Sequence, residues 1–97
     1  MVVAVSIFEL HLPEARSLKH KRKVIKGLID RVHHRFRVSI AETDHHDLHQ
    51  RAEVSIAAIA RSPADGHRLM DTVRDLIDTE PAAILTSWDP QFLEEIR

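Results

Sequence analysis

The chain predicts an α+β, ferredoxin-like fold with the order β-α-β-β-α-β, a four-stranded antiparallel sheet with two helices on one face. Three observations predict it. Two segments carry apolar residues at helical spacing, Leu18–Phe36 and the stretch that opens at Ser62-Pro63. Four shorter runs are rich in β-branched residues or alternate in polarity. The connection His45–Arg51 is too short for a crossover, so the strands on either side of it are expected to be antiparallel neighbours. Right-handed crossovers then leave few other arrangements.

The elements follow in order. Val2–Leu12 is β-branched and closes at Pro13, a strand with Val3, Val5 and Ile7 on one side and Phe8, Leu10 and Leu12 on the other. Ser17 reads as the N-cap of a helix whose stripe is Leu18, Ile25, Leu28, Ile29, Val32 and Phe36. Arg37–Asp44 alternates, with Val38 and Ile40 facing one way. Ala52–Arg61 is the third strand, through Val54, Ile56 and Ile59. Ser62-Pro63-Ala64-Asp65 supplies an N-cap, a proline at the first helical position and an acid in the first turn. Leu69, Met70, Val73, Leu76 and Ile77 form that helix's stripe, and Pro81 lies beyond its end. Ala82–Trp88 is the fourth strand, and Asp89-Pro90 reads as the start of a short terminal turn. One face of the sheet is left bare. Strand one is apolar on both sides, which fits either a well-buried central strand or a greasy open face that packs two copies into a homodimer.

Composition narrows the function classes. Residues 1–97 make a single domain that folds without staples. With no cysteine there is neither a disulfide framework nor a thiolate metal site. No apolar run approaches the ~20 residues that span a bilayer. MVVAVSIFEL lacks a basic n-region, so a soluble cytoplasmic protein away from membranes is expected. Net charge is −1, yet residues 1–40 hold nine Lys/Arg against three acids and residues 41–97 hold five against twelve. The molecule has a basic part and an acidic part.

The basic part is densest in ARSLKHKRKVIK, residues 15–26. Peptide dipoles already make a helix N-terminus positive, so cations there cost roughly 0.3–1 kcal/mol each. A local rule broken this often suits a place where something anionic sits. Arg16, Lys19, Arg22, Lys23 and Lys26, with His20 and His33 nearby, are the candidate phosphate-binding residues. The same run also reads as an ordinary solvated helix face. Lys21 differs, because it falls near the apolar stripe; an ion pair with Glu42 or Asp44 is expected for it.

LHLPEARSLKHKRKVIKGLIDR, the turn into RFRVSIAETD, and DLHQRAEVSIA together resemble the YlxP-like family of small bacterial proteins over essentially the whole chain. The resemblance implies a ferredoxin-like fold. Its genes often neighbour those for ribosome-binding factor A and translation initiation factor two, which implies an association with RNA or ribosome assembly. It carries over no catalytic residues. His20, His45 and His49 depart from the family's pattern, where a Glu, a varied residue and often an aromatic are expected.

The second candidate region is the β2–β3 connection, with Glu42, Asp44, His45, Asp47, Gln50 and Arg51 as residues that support the fold or touch a partner. Clustered His and Asp can hold a divalent ion, but their spacing matches no closed ligand set, so no specific metal and no cofactor is expected. Arg51 is expected to pair with Glu42 or Asp44 across the hairpin. Catalysis has little support: there is no Cys or Tyr, and only two glycines, Gly27 and Gly66. Glu42 and Asp44 on one side of an alternating strand are the one possible acid/base pair. No small-molecule substrate is evident. Base stacking on the sheet, as in RNA-recognition-motif domains, would need exposed aromatics on the inner strands. The sequence therefore predicts a non-enzymatic binding module for RNA or a ribosomal particle through its first helix, the alternative being a homodimeric interaction module using the open sheet face.

Overall fold

The computed structural model describes residues 1–94 and contains β1 (Val2–His11), α1 (Leu18–Arg35), β2 (Ser39–Asp44), β3 (Arg51–Ala60), α2 (Pro63–Asp78), β4 (Ile84–Ser87) and β5 (Pro90–Glu94). The sheet runs β2-β3-β1-β4, with β5 also paired to β1 and every pairing antiparallel. Both helices pack on one face of it, in the ferredoxin-like arrangement.

The expectation of four strands and a terminal turn at Asp89-Pro90 is corrected here. The position beside β1 is filled by two short strands in relay. β4 pairs with Glu9–His11 and β5 with Val2–Ser6. Between them Trp88 turns inward against Phe8, with ring centroids 5.2 Å apart, and takes the chain out of the ladder. A ten-residue central strand would otherwise leave much of one edge unpaired. Pro90 re-enters at the first residue of an edge strand, where a missing N–H is tolerated.

The core is set by alternation. Val2, Ala4, Ser6, Phe8 and Leu10 of β1, and Ala52, Val54, Ile56, Ala58 and Ala60 of β3, point to the helices and are buried. From α1 come Ile25, Leu28 and Val32; from α2, Met70, Val73, Leu76 and Ile77. Ile29 and Leu69, expected in this layer, pack half-buried at its margin, and Leu18 is also half-buried. They sit at the edges of their stripes, where the other helix no longer covers them. The caps are as the sequence predicts: Ser17 Oγ accepts from His20 N at 3.1 Å and Ser62 Oγ from Asp65 N at 3.2 Å. At Gly66 an added Cβ would lie 3.2 Å from the Phe92 ring, so the first turn of α2 uses glycine to approach β5 closely. Among the described residues no helix is long and apolar enough to cross a membrane.

Candidate nucleic-acid interface

Buried Ala15 anchors the chain ahead of the N-cap, and Ile25 and Leu28 fix the rotation of α1 about its axis. That rotation turns Lys19, Arg22, Lys23 and Lys26 to solvent at i, i+3, i+4 and i+7; Arg16, just before the cap, is exposed beside them. No acid occupies the first turn. Among the described residues none of these five cations is ion-paired; the pairs formed are Lys21–Glu42, Arg31–Glu80, His45–Glu9, Arg51–Glu9 and Arg68–Asp65. The helix thus presents a strip of uncompensated positive charge.

Lys21 behaves as expected. Its side chain is fully buried, and its Nζ donates to Glu42 Oε2 at 2.9 Å, the His45 carbonyl at 2.6 Å and the Arg51 carbonyl at 3.2 Å. All three ammonium protons are used, which is what makes a buried charge tolerable. The ammonium therefore ties α1 to both ends of the β2–β3 connection.

That connection is held from several sides. His45 takes a left-handed backbone, φ 62°, a conformation that costs a residue with a Cβ roughly 1–2 kcal/mol. Its N–H donates to Asp44 Oδ1 at 2.7 Å, its carbonyl also accepts from Leu48 N, and its ring Nε2 meets Glu9 Oε1 at 3.1 Å. The His46 ring faces the Glu42 carbonyl at 3.2 Å. Gln50 holds β1 and the loop after it: its carbonyl accepts from Leu12 N and its amide donates to the Pro13 carbonyl. Asp47 is exposed and, with His11, Leu48, His49, Gln50 and Arg51, lines a shallow depression of about 320 Å³. The two histidine rings are directed to different partners, and among the described residues no three His or acidic side chains converge as a ligand set.

Two expectations at this site are corrected. Glu42 and Asp44 do not share a side. A bulge between them leaves Glu42 opposite Val54, toward the helices, and puts Asp44 opposite Glu53 on the open face. No acid/base pair is formed by them. Arg51 pairs with neither, because it projects on the open face while Glu42 is taken by Lys21; its guanidinium reaches Glu9 Oε2 at 3.4 Å. Glu9 is thus the acid that gathers His45 and Arg51. A carboxylate alternating into an otherwise apolar strand was the clue to it.

The open face itself carries no Phe, Tyr or Trp side chain among the described residues. Phe8 is buried, Trp88 lies against it, and Phe92 packs under Gly66 and beside His67, ring centroids 4.0 Å apart. Stacking of bases across the sheet has no platform here. The face carries instead Ile7, Ile59 and Leu93, which are 61%, 72% and 54% exposed.

Residues 3–89 match the family model described as a protein of unknown function, DUF503. The uncharacterized protein YlxP of Bacillus subtilis (strain 168) is 38% identical over 68 residues, which cover 70% of this chain and 74% of that protein. Among solved structures, the de novo designed protein Foldit4 aligns over 99% of this chain and 100% of its own with TM-score 0.52 and 14% identity, a likeness of fold alone. A second designed protein, described as having a ferredoxin fold, aligns over 100% of this chain and 88% of its own with TM-score 0.48 and 16% identity.

Proposed function

This chain belongs to the DUF503 family of proteins of unknown function, and from its geometry we propose that it is a non-enzymatic, cytoplasmic binding module. It holds RNA, free or within a ribosomal assembly particle, through phosphate contacts along α1. The observation that carries this reading is the strip of Lys19, Arg22, Lys23 and Lys26, exposed along one line of the helix and without acidic partners among the described residues. Arg16 extends it past the N-cap, where unpaired backbone N–H groups add donors for an anion. Recognition of this kind reads backbone charge and shape and discriminates little between sequences.

Salt dependence is the test. Each phosphate neutralised contributes about 0.9 to the slope of log affinity against log salt for a duplex and about 0.7 for a single strand. With a single-stranded RNA oligonucleotide and with purified ribosomal particles as probes, the double variant K23Q/K26Q is expected to flatten that slope by roughly 1–2 units. Equal binding by the variant and the parent in the same salt would remove the α1 reading.

A further inference from the structure

The strand registers arrange the open face in rows. Val3 lies between Ile59 and Leu93, Val5 between Ala57 and Gln91, and Ile7 beside Ser55. β2 adds Ser39 beside Ala57 and Ala41 beside Ser55. Beyond Ile7 the next row is acidic: Glu9 stands directly opposite Glu53, and Asp44 opposite Glu53 on its other side. Like charges opposite one another weaken a sheet, and among the described residues only Glu9 of these acids has cationic partners, while Glu53 accepts from the Thr43 hydroxyl. One residue past the end of β3, in the bend that leads into α2, comes Arg61, which is exposed and makes no ion pair among the described residues. Along the strands the face therefore reads acidic, apolar, basic. Counted along the chain, Glu53 of the acidic row and Arg61 each lie four residues from Ala57, the partner of Val5.

We propose that this face pairs two copies of the chain about a two-fold axis running across the strands at the row of Val5, Ala57 and Ser39. Such an axis turns the second copy end for end. Val3 of one copy lies over Ile7 of the other, Val5 over Val5, and Arg61 over Glu53, so apolar rows meet and opposite charges meet. The other alignment, with strand directions kept, stacks Glu9 and Glu53 on themselves and is disfavoured. A nucleic acid is a poor occupant, since among the described residues the face offers phosphates an acidic row and bases no Phe, Tyr or Trp. The footprint is on the order of 500 Å² per copy from strand spacing and rise. That is near the lower limit for a specific interface, so the dimer is reversible and in the micromolar range. The helices lie on the outer faces of this dimer and both α1 strips stay open, so the pairing is independent of the RNA reading and neither result decides the other.

Sedimentation analysis of the full chain from roughly 1 to 100 μM tests it. The parent is expected to pass from monomer to dimer across that range. Ile59→Glu, at a position 72% exposed in the single chain, is expected to hold it monomeric with an unchanged melting profile. Arg61→Glu and Glu53→Arg are each expected to weaken the dimer about tenfold or more, and R61E/E53R to restore it. A parent that stays monomeric at the top of the range overturns the proposal. So does a dimer indifferent to Ile59→Glu, or a double variant as weak as its singles.

Discussion

Lys21 and Lys23 stand two residues apart on α1 and lead opposite lives. Lys21 faces inward, loses its water entirely and recovers it as three hydrogen bonds to Glu42 and two carbonyls of the β2–β3 connection. Lys23, with Lys19, Arg22 and Lys26, faces outward with no acidic partner among the described residues. Residue type is identical and helix position nearly so. What differs is about 200° of rotation around the axis, and with it the whole energetic meaning of the charge. A buried ammonium is costly unless every proton is used. An exposed one costs little and is free to meet an anion.

The largest effect that can break this contrast is at Lys21. Lys21→Met is expected to lose roughly 3–5 kcal/mol by urea unfolding, because Glu42 loses its buried cation and the His45 and Arg51 carbonyls each lose a donor. A loss below about 1 kcal/mol would mean that the connection rearranges and that Lys21 is no tie. Adding Glu42→Leu sharpens the comparison. The double variant is expected to recover only part of the loss, since the carbonyls of His45 and Arg51 still lack the hydrogen bonds that the ammonium donated. Leu28→Ala, in the same helix but purely apolar and 2% exposed, is expected to cost about 2–5 kcal/mol, the range for a cavity in a closed core. Ser17→Ala, which removes the cap accepting from His20 N, should cost about 1 kcal/mol. On the outer side K23Q/K26Q is expected to shift stability by less than about 0.5 kcal/mol, toward a small gain as like charges at i, i+3 and i, i+4 are relieved. A loss above about 1 kcal/mol in that variant would show the outer cations to be structural and erase the contrast.

The two faces of the sheet differ in the same way. On the helix side most residues of β1 and β3 share one buried core with those of α1 and α2. On the other side Val3 and Val5 are half-buried by their neighbours in the sheet, while Ile7, Ile59 and Leu93 are largely exposed. Apolar residues held out to water on one face are the ordinary mark of an interaction surface.

By itself the sequence determined the element order through β4, the two N-caps and the inward turn of Lys21. These depend on periods of 2 and 3.6 residues and on short-range capping, which are properties of the chain read locally. It also marked out the basic strip, because helical spacing alone puts residues 19, 22, 23 and 26 on one arc. The tertiary structure decided what depends on register and on competition for partners. The bulge between Glu42 and Asp44 separated two acids that strict alternation would have kept together. Arg51 went to Glu9, a residue 42 positions away, because Lys21 already held Glu42. The fifth strand formed because β4 left half of one edge of β1 uncovered, a vacancy that shows only once the strands are aligned. Likewise Glu9, Glu53 and Asp44 form one acidic row only through the alignment of β1, β3 and β2, and no single strand contains it.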